Sequence, residues 1–135
     1  MKISAILERA DVQLVAEAAE VEAQRNGWAV TIAIVDHGGH LLALNRLDGA
    51  APATAHIAPA KANTAALVRR ESKDFEDQIN GGRLAFLSAP TLQGVLEGGV
   101  PIMKDDQCLG AVGVSGVLPA QDVQIARAGI AALKL

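Results

Sequence analysis

His37, His40 and His56 are the only histidines and Cys108 the only cysteine, so soft-metal or haem-iron chemistry must draw on this small set, with Met103 as a lesser donor. His37 and His40 stand three residues apart across Gly38-Gly39, where a turn would let their side chains converge. Neither HExxH nor a histidine with two cysteines occurs, so no metal site is expected from spacing. Asp36 precedes the same turn. Its ordinary use there is to accept hydrogen bonds from turn amides; the other is as a catalytic acid or base.

Lys61 and Thr64 lie three residues apart, hence on one face of a helix in an Ala-rich stretch. A lysine turned inward could hold a ligand's carboxylate or propionate, or act as an acid or base with a depressed pKa. Turned outward, it would be an ordinary surface residue, and both readings stay open. Asp48, in LDGA, and the backbone amides of Gly98, Gly99 and Gly116 could line a polar pocket, because consecutive glycine amides form anion-binding concavities. In GAVGVSG, Gly110, Gly113 and Gly116 recur every three residues, but without the GxGxxG order or a P-loop lysine. The run also lies within a predicted strand, where glycine admits close approach by a helix or a ligand. Ser115 follows Gly113 in an order that does not make a GxSxG nucleophile elbow.

These residues must be positioned by a small chain. Its 135 residues suit a single domain spanning 1–135, with a core of Ala, Val, Leu and Ile because Trp28, Phe75 and Phe86 are the only aromatics. The net charge of −3 gives no general attraction to phosphate backbones or anionic lipids, so neither nucleic acid nor membrane is an expected partner. Arg69, Arg70 and Lys73 alternate with Glu71, Asp74, Glu76 and Asp77 and read as a solvated helix face. A lone cysteine permits no intrachain disulfide, and Glu8, Arg9 and Asp11 interrupt any leader-like apolar run, which together suggest a reducing, cytoplasmic location.

Leu7, Ala10, Leu14, Ala18 and Val21 predict a helix over residues 4–26, with Ser4 as N-cap and Val12, Ala16, Ala19 and Ala23 on its flank. Residues 28–36, WAVTIAIVD, are apolar on both faces and predict a central strand, which HGG joins to a returning strand HLLALNR. Residues 53–69 predict helix, with Pro59 causing a break near His56. A short charged helix ends at Asn80-Gly81-Gly82, and residues 83–99 predict a long loop containing one short strand. VPIMK and QCLGAVGVSG form a second hairpin at Asp105-Asp106, and a helix starts at Pro119 with Val123, Ala126, Ile130 and Leu133 on one side. The expected fold is an α+β sandwich of two to three layers, an antiparallel sheet of about five strands flanked by helices.

VDHGGHLLALNRLDGA (35–50), AKANTA (60–65), GGVPI (98–102), LGAVGVSG (109–116) and PAQDVQIARAGIAAL (119–133) closely resemble the GlcG/HbpS family. That resemblance implies an antiparallel sheet sandwiched by helices and assembly into dimers or larger oligomers, some octameric. It also implies haem as a candidate cofactor, since some members bind haem and a related domain is fused to corrinoid adenosyltransferases. Carried over, it marks Asp36, Gly38, Gly39, Asp48, Lys61, Thr64, Gly98, Gly99, Pro101, Gly113, Ser115 and Gly116 as the shared surface. HIAPAK departs from the family by placing His56 and Pro59 in a stretch that is commonly uninterrupted helix.

The leading expectation is a small-molecule-binding protein, with haem or another tetrapyrrole as the named candidate and Lys61 pairing an anionic group. A second is an isomerase, tautomerase or hydratase acting on a small carboxylate of a catabolic pathway, with Lys61 or Asp36 as acid or base. A third is an accessory subunit that stabilises a partner enzyme. Homo-oligomerisation also follows from helices carrying more Ala and Val than one small sheet covers.

Overall fold

The unbroken apolar run TIAIVD becomes β1, Thr31–Asp36, whose first five residues are all buried. A computed structural model describes residues 1–135 and places this strand inside an antiparallel sheet. β1 pairs with β2, Leu41–Arg46, on one side and with β4, Gln107–Ser115, on the other; β3, Gly99–Lys104, completes the order β2-β1-β4-β3. The sheet therefore has four strands instead of about five. The stretch expected to supply another strand forms a 3-10 turn, Leu84–Ser88, and then irregular chain. Pro90 lacks the amide a ladder needs, and the Gly94 backbone is pressed against α2 rather than aligned with a strand.

Both predicted hairpins form. Asp105 and Asp106 each adopt positive φ, 47° and 62°, as a two-residue type I′ connection requires.

The first helix, α1, spans Arg9–Arg25 and is capped at Glu8, not Ser4. Asp11 accepts the Glu8 amide at 2.8 Å and the Glu8 side chain accepts an amide in return, a reciprocal cap that leaves residues 1–8 outside the helix. The helix buries Val12, Val15, Ala16, Ala19 and Ala23, so the flank faces the core. Leu14 and Val21 remain 48% and 52% exposed. The C-terminal helix α4, Pro119–Ala131, lies beside α1 on the same face of the sheet. Gly129 permits that approach, since a Cβ there would come within 2.9 Å of the Val15 carbonyl oxygen.

On the opposite face lies α2, Thr54–Val68. It continues through Pro59 with no break at His56; the proline removes one hydrogen bond early in the helix while packing holds the remaining turns in place. Its contact layer is nearly all alanine: Ala58, Ala62, Ala65 and Ala66 meet Ala33, Val35 and Ala111. A Cβ on Gly113 would lie 2.1 Å from the Ala58 carbonyl oxygen, so the glycine in β4 lets helix backbone rest on strand backbone. The charged helix α3, Lys73–Asn80, follows and buries only Phe75. The result is α1 and α4, then the sheet, then α2, with Ile32, Ile34, Ile102, Val112 and Val114 filling the α1/α4 side.

Candidate functional site

Many of the residues singled out by type and spacing fall into two clusters, one around Lys61 and one at the β1–β2 turn, with Asp48 and His56 apart from both. The first forms around Lys61. Its side chain points inward and is 4% exposed overall, with Nζ donating to the Val114 carbonyl at 2.9 Å and to Asp122 Oδ2 at 3.1 Å. Asp122 is 2% exposed, and its other oxygen accepts the Val117 amide at 3.2 Å. This buried ion pair ties α2, β4 and α4 together. Burial pushes the Asp122 carboxyl above its ordinary range, and the Lys61 charge and hydrogen bond offset only part of that push.

Gly98 and Gly99 belong to the same cluster as structural elements. A Cβ on Gly98 would come 2.6 Å from Lys61 Nζ, and one on Gly99 would come 2.3 Å from the Lys61 carbonyl oxygen. The Gly99 amide is taken by Ser72 Oγ at 2.8 Å. Ser115 is buried opposite Thr31, and a Cβ on Gly116 would press on the Ala29 carbonyl oxygen at 2.5 Å. Thr64 is fully buried and its hydroxyl has no hydrogen-bond partner. Lys61 thus has its charge met by Asp122, a residue that sequence reasoning passed over. The available signal was phase: Asp122 shares the inward stripe of α4 with Ile125, Ala126 and Gly129.

The second group forms at the β1–β2 turn. Asp36 Oδ1 accepts the Gly38 amide at 2.8 Å, the His40 amide at 3.0 Å and the His40 ring at Nδ1, 3.2 Å away. Partial burial raises the Asp36 pKa, but the two amide bonds and the His40 ring outweigh it and hold the carboxyl below its usual value. His37 and His40 are both exposed, and the turn places them on one loop. Gly39, at φ 81°, approaches α2, where Asn63 donates to its carbonyl at 3.1 Å. His56 is exposed on α2, across the sheet from α1.

Alternation along β1 settles the side on which Asp36 lies. Ile32 and Ile34 face α1 and α4, Ala33 and Val35 face α2, and Asp36 therefore falls on the α1 side. Gly110, opposite Asp36 in register, confirms the position, because a Cβ there would meet Leu7 at 2.9 Å. Leu7 is one wall of a surface hollow of about 480 Å³ between the start of α1 and β2, lined also by Arg9, Val12, Ala16, Leu42 and Ala43. Leu42 is two residues beyond His40. Asp36 and the hollow thus lie on the same face of the sheet, although neither Asp36 nor His40 lines the hollow, whose rim also carries Glu8, Gln13, Glu17 and Asn45. Asp48 lies elsewhere, on a more open hollow of about 760 Å³ with Trp28, Glu20, Gln24 and Arg46. The residues present include no group of three or more histidine, cysteine or acidic side chains placed to hold a metal ion.

This arrangement defines a three-layer α+β protein with a partly apolar hollow between α1 and β2. The chain belongs to the HbpS-like family: the family model described as haem degrading protein HbpS-like matches residues 7–131. It is 52% identical over 115 residues to protein GlcG of Escherichia coli strain K12, which covers 85% of each chain. Among solved structures, a double mutant of Streptomyces reticuli HbpS matches with a TM-score of 0.89 at 29% identity, over 98% of this chain and 90% of that one. PduOC, solved as a haem complex, matches with a TM-score of 0.85 at 30% identity, over 95% of both chains.

Proposed function

We propose that this protein binds a tetrapyrrole, haem being the first candidate, in the hollow between α1 and β2. The observation that carries this reading is the likeness to PduOC, a haem-bound structure, along almost the whole of both chains. The chain's own residues suit such a ligand. The volume of about 480 Å³ falls within the range of about 300–1,000 Å³ common to small-molecule pockets. Leu7, Val12, Ala16, Leu42 and Ala43 offer apolar surface to a macrocycle, and Arg9 offers a guanidinium to a peripheral carboxylate, which must then lie away from Glu8 and Glu17 on the same wall. Bound haem would supply an iron centre for ligand or electron exchange; the protein's part is to hold and orient the macrocycle. Lys61, already paired with Asp122, supports the scaffold from the far side of the sheet rather than pairing with the ligand.

The same reading takes the protein to be a cytoplasmic homo-oligomer. No helix is long and apolar enough to cross a membrane, and Leu14, Ala18 and Val21 form an outward stripe on α1 that suits contact with another copy.

Native mass spectrometry on protein purified without added cofactor, followed by haemin titration under visible absorption, tests both parts. The expected result is a multimer that takes up haemin to saturation with a sharpened, shifted Soret band. Absorbance that rises without saturating would refute tetrapyrrole binding, and a monomer at micromolar concentration would refute self-assembly.

A further inference from the structure

Arg46 ends β2 with a guanidinium that no carboxylate meets. Its Nε donates to the Ala50 carbonyl at 3.1 Å, which anchors the stem and leaves both terminal nitrogens unclaimed. It shares the hollow of about 760 Å³ with two carboxylates, Glu20 and Asp48, and none of the three forms an ion pair within the protein. Glu20 accepts only the Gln24 side-chain amide, at 3.2 Å, and Asp48 accepts nothing. We propose that this hollow, at the C-terminal half of α1 and the end of β2, binds a basic α-amino acid, its carboxylate on Arg46 and its two ammonium groups on Glu20 and Asp48. The site is separate from the hollow assigned to a tetrapyrrole, since only Asn45 borders both, and either assignment can fail without the other.

Charge selects the ligand class. With two carboxylates and one guanidinium in the lining, a simple carboxylate would meet net repulsion, and a simple amine would leave the guanidinium without a partner. One carboxylate and two ammonium groups on a single molecule answer all three. The planar fork of Arg46 matches a carboxylate bidentately. The end of α1 favours a cation as well, because the helix dipole places its negative pole there, and Arg25, the one basic residue of the last turn, is paired with Glu22 at 3.4 Å.

The walls are fixed by local backbone. Gly27 turns the chain out of α1 at φ 70°, and the Trp28 amide donates back to the Ala23 carbonyl at 2.9 Å, so the half-buried indole follows directly on the helix end and packs on the core. On the other side the Leu47 amide donates to the Val30 carbonyl at 2.9 Å. Gly49, at φ 86°, brings the next loop so close that a Cβ would lie 3.5 Å from that of Ala29. Asp48 sits between these two contacts and is held at the rim. Trp28, Leu44 and Leu47 give the methylene stem of the ligand an apolar bed, and the indole adds cation–π attraction for an ammonium.

The test titrates L-lysine into the protein, read by calorimetry and by the fluorescence of Trp28, the only tryptophan in the chain. Binding should saturate with half-occupancy at or below about 1 mM and weaken with added salt. Three probes each lack one charge: cadaverine the carboxylate, ε-aminocaproate the α-ammonium, and norleucine the side-chain ammonium. Each should bind about tenfold more weakly or worse. Arg46→Gln should bring lysine down to the level of cadaverine. Of Glu20→Gln and Asp48→Asn, one should erase the advantage of lysine over norleucine and the other its advantage over ε-aminocaproate. None of the three side chains is buried, so circular dichroism and urea midpoints of the variants should match the wild type. A wild type with no saturable response to L-lysine would overturn the proposal. Equal affinity for lysine and norleucine, or a folded Arg46→Gln that binds lysine as the wild type does, would overturn it too.

Discussion

Replacing Lys61 with methionine tests the buried pair at the centre of the molecule. The substitution keeps an unbranched, helix-compatible stem but strips the ammonium from a carboxylate that is 2% exposed and has only the Val117 amide as a further partner. Removing one member of a buried pair costs about 3–5 kcal/mol, set against a total stability of about 5–15 kcal/mol for an ordinary domain. The double variant Lys61→Met with Asp122→Leu removes both charges, and apolar replacement of a whole buried pair is commonly neutral or stabilising. It should therefore regain most of the loss. Urea denaturation at pH 7 measures each midpoint, and an unchanged slope confirms that stability alone has moved.

The pH dependence of the single variant adds a second check. Burial already raises the Asp122 carboxyl above its ordinary value, so the native state binds that proton more tightly than the unfolded chain does. Stability from such a group is lost as pH rises from the unfolded value through the raised native one. Without Lys61 the raise grows, and the deficit of Lys61→Met should shrink as pH falls from 7 toward 4. A single variant within about 1 kcal/mol of wild type at pH 7, the scale of an exposed pair, would refute the argument. So would a double variant no more stable than the single one.

Gly113→Ala would place a methyl 2.1 Å from the Ala58 carbonyl oxygen and 2.6 Å from the Ala62 amide nitrogen, where only backbone can yield. It should destabilise by at least the 1–3 kcal/mol or so typical of overpacking, read from the thermal midpoint; a neutral result would show that α2 can lift from β4. Thr64→Val removes a buried hydroxyl with no partner while keeping the branched shape, so a gain of about 1 kcal/mol is expected in denaturant melts. A loss instead would mean that the hydroxyl is hydrogen-bonded in the folded protein, for example to a buried water.

How much of this was legible along the chain depended on how far each residue's partner lay. β1 could be placed at the sheet centre from Val and Ile on both faces, and the hairpins from Gly38-Gly39 and Asp105-Asp106, because those signals are local. The buried phase of α1 was not legible. The helix carries two apolar stripes, and the choice fell to Val15 and Ala19, which Gly129 of α4 allows to approach closely. The extent of α2 is legible but its continuity is not: Pro59 signals a break locally, while the strand residues Ala33, Val35 and Ala111 that hold the alanine face of the helix in place lie dozens of residues away. In the site, Asp36 at the turn was readable as an amide acceptor, whereas its hold on the His40 ring required coordinates. Lys61 could be read as inward or outward because its partner, Asp122, lies 61 residues on.

Cys108 gives the fold an internal clock. Its Sγ is buried beneath α2, 3.7 Å from the Ala66 carbonyl and 3.3 Å from that of Gly110, and burial pushes the thiol pKa up despite the Gly110 contact and nearby Arg69. Since the thiolate is the reactive form, the closed molecule should be nearly inert to alkylating reagents at neutral pH. Modification of this lone thiol would then proceed only through openings that part α2 from β4, and its rate would time how often the layers separate without any label being engineered into the chain.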